Sequence, residues 1–289
     1  MSESVIADFV AKFNASASER TEPATGRILL SQKRLVLATD AGKTTIPLSS
    51  IFDVAVGQVP QDLGKFFDST VTIAFRKGDH RHVAAIEAGD DKVEKFSTVL
   101  FKALLNGTTM TVKHPARLGG RVTNAAFQPA KLVLKPLMVR FKRPDSPVTV
   151  DLSTVTSFER SQREVDGKPR EVLSVRHMQD GQAMTSLAAI DSGRKMGILG
   201  RYLRLEYSDI VADLEDISLS GDETELLVAV YSTGPGVSLA NVVDVEPSQV
   251  EMLLGGLREK GLLADGQAET ELTAKGRIVV SDKVEDVNQ

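Results

Sequence analysis

The chain has no cysteine among its 289 residues. Disulfides, thiolate metal sites and cysteine nucleophiles are therefore all excluded. It also lacks any apolar run approaching the roughly 18 residues that a membrane-spanning helix needs, and Met1 to Asn14 have neither a basic leader nor an unbroken apolar core. A cytoplasmic protein without a transmembrane segment is expected. Histidines number four. His80 and His82 alternate on one strand face within a hairpin, no third ligand is evident nearby, and an exposed hairpin is the better reading than a metal site. His114 and His177 stand alone. Gly193-Arg194-Lys195-Met196-Gly197 is basic and opens a helix, as an anion cradle would, yet it lacks the spacing of a P-loop or dinucleotide fingerprint. No catalytic constellation emerges, so no enzyme activity and no cofactor are expected.

What is present is a repeat. Leu48-Ser49-Ser50-Ile51 and Ala84-Ala85-Ile86-Glu87-Ala88-Gly89 return as Leu152-Ser153-Thr154-Val155 and Ala188-Ala189-Ile190-Asp191-Ser192-Gly193, both at an offset of 104. That length is close to a common domain size. Charge is segregated as well: residues 1 to 110 balance, 111 to 210 carry +7 and 211 to 289 carry −11. The expected division is a helix over 1–25, one copy over 26–110, a basic second copy over 111–210 and an acidic module over 211–289.

Val5, Ile6, Phe9, Val10 and Phe13 fall at helical spacing. They predict a short amphipathic helix that packs on its own domain or on a second copy of the chain, and they are the candidates for self-association into a homodimer. From Gly26 the pattern becomes β: Arg27 to Leu30, Arg34 to Thr39, Thr44 to Leu48 after the Asp40-Ala41-Gly42 turn, then Val71, Ile73 and Phe75 turning at Lys77-Gly78-Asp79. Asp90 and Asp91 begin a helix with Val93, Phe96, Leu100 and Leu104 on one face, ending at Asn106-Gly107. The second copy repeats the order with Met196, Leu199, Leu203 and Tyr207. Short antiparallel strands followed by one helix, with the phrases Ser31 to Leu37 and Ile46 to Ile51, resemble pleckstrin-homology or GRAM barrels. The expected class is α+β: two tandem barrels of that type, each closed by its C-terminal helix.

After Leu219 the pattern turns helical. Pro247 sits where a helix starts, with Val250, Leu253, Leu254 and Leu257 on its face. The phrases Arg258 to Leu263 and Leu272 to Arg277, around Asp265-Gly266, predict a winged helix. That fold invites a transcription-regulator reading, but Glu246 and Glu251 lie where a recognition helix would approach bases. The −11 of this segment further opposes phosphate binding, so no nucleic-acid partner is expected. A third reading uses the basic copy on a lipid surface, where each basic residue contributes about 1 kcal/mol.

The whole, with Ser4 to Asn14, Gly26 to Leu37 and Thr44 to Val54, resembles the CheF family of archaeal taxis proteins. That resemblance implies a cytoplasmic adaptor, recruited to the motor, that couples the phosphorylated response regulator CheY, and the deamidase CheD, to the archaellum switch proteins. CheY then maps onto the acidic module and its tail, through Val279, Val280, Asp282, Val284, Glu285 and Val287. An acidic or motor partner maps onto Arg160, Arg163, Lys168, Arg170, Arg176, Arg194, Lys195, Arg201 and Arg204.

Overall fold

The computed structural model describes residues 4–15, 22–60, 66–87, 90–135, 137–179, 182–215, 217–233, 239, 243, 246–264, 270, 272–273 and 275–280. The first sheet contains β1 (Val5–Ala15), β2 (Ala24–Ser31), β3 (Arg34–Thr39), β4 (Gly42–Pro47), β5 (Ile51–Val56), β6 (Thr70–Lys77) and β7 (His80–Glu87), and α1 (Asp90–Leu105) follows it. The second contains β8 (Thr109–Leu118), β9 (Arg121–Val122), β10 (Gln128–Lys135), β11 (Met138–Lys142), β12 (Val148–Asp151), β13 (Val155–Val165), β14 (Lys168–Gln179) and β15 (Gln182–Ala189), followed by α2 (Gly193–Glu215). Two further helices, α3 (Gly221–Thr233) and α4 (Pro247–Glu259), lie beyond.

Strand order demonstrates the duplication. The first sheet runs β4-β3-β2-β1-β7-β6-β5 and the second β12-β11-β10-β8-β15-β14-β13, with β9 paired to β8 off that path. Strands β8, β10, β11 and β13 begin 104 residues after β1, β2, β3 and β5, and α2 begins 103 after α1. In both copies a 3-10 turn, Leu48–Ser50 and Leu152–Thr154, stands between the two strands that end the sheet.

This arrangement corrects the expected architecture. The protein is mostly β, at 50% strand against 28% helix, and its two antiparallel sheets of seven and eight strands form no closed barrel. Strands β4 and β5 are neighbours in sequence, yet they occupy opposite ends of their sheet. Extended Pro47 and the 3-10 turn intervene, so the chain leaves one edge and resumes at the other. The expected winged helix is not shown either, since the Asp265-Gly266 turn of its wing lies outside the described residues. Beyond α2 the described residues form α3, α4, a single bridge between Leu263 and Leu272, and a helical turn over 275–280. Leu262 and Leu263, expected to lead into the wing, and Leu272, expected to open a last helix, are buried in the core of these helices.

The N-terminal segment is also a strand rather than a helix. Its sequence supports both periods, but Phe9, Ala11, Phe13 and Ala15 alternate inward, a spacing of two that suits a pleated surface. Strand β1 pairs with β2 along most of its length, through Phe9–Ile28 among others, and over Lys12 to Ala15 with β7 on the other side, through Phe13–Ile86.

Ile28, Leu30, Leu35, Leu37, Ile46, Ile51, Ile73, Phe75 and Ile86 are essentially inaccessible and form the core of the first sheet. Each contributes about 1.5–3 kcal/mol by burial. Phe96, Leu100 and Leu104 of α1 are buried as the stripe predicts. This helix packs on β1, β6 and the first 3-10 turn, with the Phe9 and Phe96 rings 5.1 Å apart. Gly26 is required by close strand approach, since a Cβ there would lie 2.2 Å from Ala38 O.

Two compact units divide the chain differently from the sheets. One comprises Met1–Thr111, Pro129–Pro147 and Ala189–Leu205; the other comprises Val112–Gln128, Val148–Ala188 and Glu206–Gln289.

Candidate protein-binding surfaces

The basic residues singled out above separate into two groups. On the β13–β14 hairpin, Arg160 is bonded to Glu171, and Arg163 Nε donates to Ser161 Oγ at 3.1 Å. Lys168 and Arg176 are exposed and Arg170 is half-buried.

The second group, on α2, is largely engaged inside the first compact unit. Arg194 Nη1 donates to the carbonyls of Leu48 at 3.1 Å and Ile51 at 2.5 Å. Lys195 Nζ donates to Thr108 Oγ1 at 2.9 Å. Arg201 makes a fork onto the two Asp53 carboxylate oxygens, each at 3.1 Å. Burial pushes the Arg194 and Lys195 pKa values down, and the Arg194 charge adds to the effect on Lys195. The stretch from Gly193 to Gly197 is thus a helix start, with Ser192 O accepting from Met196 N and Ser192 Oγ from Lys195 N. Arg194 serves the first 3-10 turn and the adjoining Ile51, and Lys195 serves Thr108. Arg204 is exposed.

The acidic module has its own core, drawn from residues 217 to 280: Leu226, Leu227 and Val230 of α3, Val250, Leu254 and Leu257 of α4, and Val280 among them. Lys260 Nζ clamps Glu223, at 2.6 and 2.7 Å from its two oxygens, and Ser218 O at 2.9 Å. Lys260 beside Glu223, helped by Ser220 N–H, holds that carboxyl below its ordinary range. Of the tail residues expected to dock, Val280 is buried in this core and Val279 packs against it. Asp282, Val284, Glu285 and Val287 lie outside the described residues. Sequence reasoning missed Tyr231 on α3 and Met252 on α4, whose large side chains are 51% and 68% exposed. Their departure from the buried face of each helix was the available signal. Asp222, Glu225, Glu251 and Glu259 are exposed on the same two helices.

Of the self-association stripe, Phe13 is buried, Ile6 and Phe9 are half-buried, and Val5 and Val10 remain exposed. His82 stacks on Phe75 at 5.6 Å while His80 is exposed. No group of three metal-ligating side chains occurs among the described residues, and no described helix is long and apolar enough to cross a membrane.

The described residues thus hold two sheets of one strand order, α2 cations bonded within the first compact unit, and a separately cored acidic module. Residues 5–209 match the family described as archaeal chemotaxis signal transduction system protein F. Over 288 residues, 100% of both chains, the sequence is 49% identical to taxis protein CheF2 of Halobacterium salinarum. It is 30% identical over 267 residues to taxis protein CheF1 of the same organism, covering 90% of this chain and 88% of that one. The chain belongs to the CheF family and acts in archaeal chemotaxis signal transduction.

Proposed function

We propose that the chain is a non-enzymatic cytoplasmic adaptor that carries phosphorylated CheY, with CheD as a further partner, to the archaellum switch proteins. The observation that carries this reading is the acidic module: it has its own core, lies wholly beyond the residues matched by the family, and bears −11 over residues 211 to 289. A receiver domain whose switch face includes a lysine suits an acidic, partly apolar surface, and Tyr231 and Met252 supply apolar anchors on α3 and α4. Asp282, Val284, Glu285 and Val287 are further contacts in this reading, while Val280 stays in the core. The motor side then falls to the exposed cations Lys168 and Arg176 of β14, and Arg204.

Exposed charge is screened beyond about 8 Å at physiological salt, so it governs association rate while the anchors govern lifetime. Calorimetry with phosphorylated CheY tests the assignment on the whole chain and on a chain ending at Ser218. Binding by the whole chain and loss of heat with the shorter one is expected. Equal affinity for both would return the site to the sheets.

A further inference from the structure

Strands β5, β6 and β7 turn one face to the core, through Ile51, Ile73, Phe75 and Ile86, and the other outward. On the outward face Arg76 stands directly opposite Arg81, and Ala74 opposite Val83. Strand β5 bulges between Ile51 and Asp53, and a bulge re-aims the side chain of its extra residue. That residue is Phe52, which is half-buried. Both guanidinium groups lie over its ring, with the Arg76 and Arg81 carbons 5.8 and 5.7 Å from the centroid. Like charges directly opposite are unfavourable, and a shared aromatic face offsets that only in part. Among the described residues neither arginine makes an ion pair. Asp53, the carboxylate opposite Ala74, is taken by the Arg201 fork.

The fold does not require this arrangement, because the second copy omits it. Strand β13 bulges at the matching place, between Val155 and Ser157, with Val155 opposite His177 as Ile51 is opposite Phe75. Phe52 and Arg76 therefore correspond to Thr156 and Met178, and the repeat offset of 104 carries Arg81 onto Thr185. None of the three is charged or aromatic, and the sheet forms all the same. Two guanidinium forks side by side suit carboxylates, each of which accepts two parallel bonds from a fork. A phosphate polymer or an anionic bilayer is read by basic charge spread over a wide area, whereas residues 1 to 110 carry no net charge. Val83, 38% exposed on the same face, adds an apolar contact. We propose that the outward face of β5, β6 and β7 is a docking site for an acidic protein segment, whose carboxylates bond Arg76 and Arg81 while an apolar neighbour lies on Val83. It uses no residue of β14 or of the acidic module.

Titration calorimetry on the full chain reads this directly, with a short capped peptide of glutamate and valine as the probe and a peptide of lysine and valine as the control. The glutamate peptide should bind and the lysine peptide should not. Arg76→Gln and Arg81→Gln should each weaken binding about tenfold, through loss of charge-assisted hydrogen bonds. Each also removes a like-charge opposition, so neither should lower the thermal unfolding midpoint. Arg76→Glu combined with Arg81→Glu should exchange the preference to the lysine peptide, which also shows that the substituted face is folded. Failure of the glutamate peptide to bind, equal binding of the lysine peptide, or affinity indifferent to both glutamine substitutions would each overturn the proposal. A midpoint lowered by both glutamine substitutions would make the pair structural and overturn it as well. Displacement of the peptide by inorganic phosphate or by vesicles of anionic phospholipid would assign the arginines to phosphoryl groups and overturn it too.

Discussion

His114, Ser186 and His177 meet inside the second compact unit. His114 Nδ1 and His177 Nε2 lie 2.8 and 3.1 Å from Ser186 Oγ, and the rings stack at 5.8 Å, 14° from parallel. One hydroxyl proton serves one imidazole, so the other ring must donate to Oγ. Burial holds His177 below its ordinary 6.5, with a backbone hydrogen bond at Met178 opposing. Below pH 6.5 the unfolded chain binds a proton that the folded chain resists, so stability is full above 6.5 and falls as pH drops through the lower folded value. Denaturant unfolding across that range should show this slope, and His177→Gln should flatten it. Glu223 behaves alike at lower pH: its folded value is depressed from 4.5 by Lys260, so its contribution is present above 4.5 and lost as pH falls through the folded value. Glu223→Gln should lower stability at neutral pH and reduce the acid dependence of the helical signal. Neither cluster was legible in the sequence. The two histidines are brought together by strand pairing alone, and Lys260 reaches Glu223 from 37 residues away.

At the scale of elements, the α2 cations divide into two energetic kinds. Arg194 satisfies two backbone carbonyls in a half-buried position, where unmade hydrogen bonds cost about 1–3 kcal/mol. The Arg201–Asp53 pair is exposed, and such pairs contribute about 0–1 kcal/mol. Arg194→Met should therefore lower the unfolding free energy by about 1–3 kcal/mol, and Arg201→Met should lower it less; chemical denaturation distinguishes them. Helix faces were well legible, because Phe96, Leu100, Leu104, Met196, Leu199 and Leu203 are all buried. Strands β2, β3, β6, β7, β10 and β14 were also readable from alternation and turn residues. Strand β1 was not: Val5 to Phe13 fit a helical stripe and a pleated strand equally, and only its pairing on both sides decides between them. The hairpin of β13 and β14 carried a turn signal in Asp166-Gly167, but the polar run Glu159 to Glu164 hid an edge strand that has little to bury.

For the whole molecule, two short phrases at one offset disclosed a duplication that the two sheet orders confirm. Open sheets were beyond the reach of the sequence, since strand content does not say whether the last strand meets the first. Charge segregation was legible, but which cations are engaged internally was not: Arg194 reaches two carbonyls, Lys195 the Thr108 hydroxyl and Arg201 the Asp53 carboxylate. The central claim is that this CheF-family chain holds two partners at once. Immobilised archaellum switch proteins, offered phosphorylated CheY with and without the chain, test it most directly. The account predicts that CheY is retained only when the chain is present, and less again when the chain is in large excess. Retention of CheY without the chain, or failure to retain it while the chain itself is bound, would contradict the account.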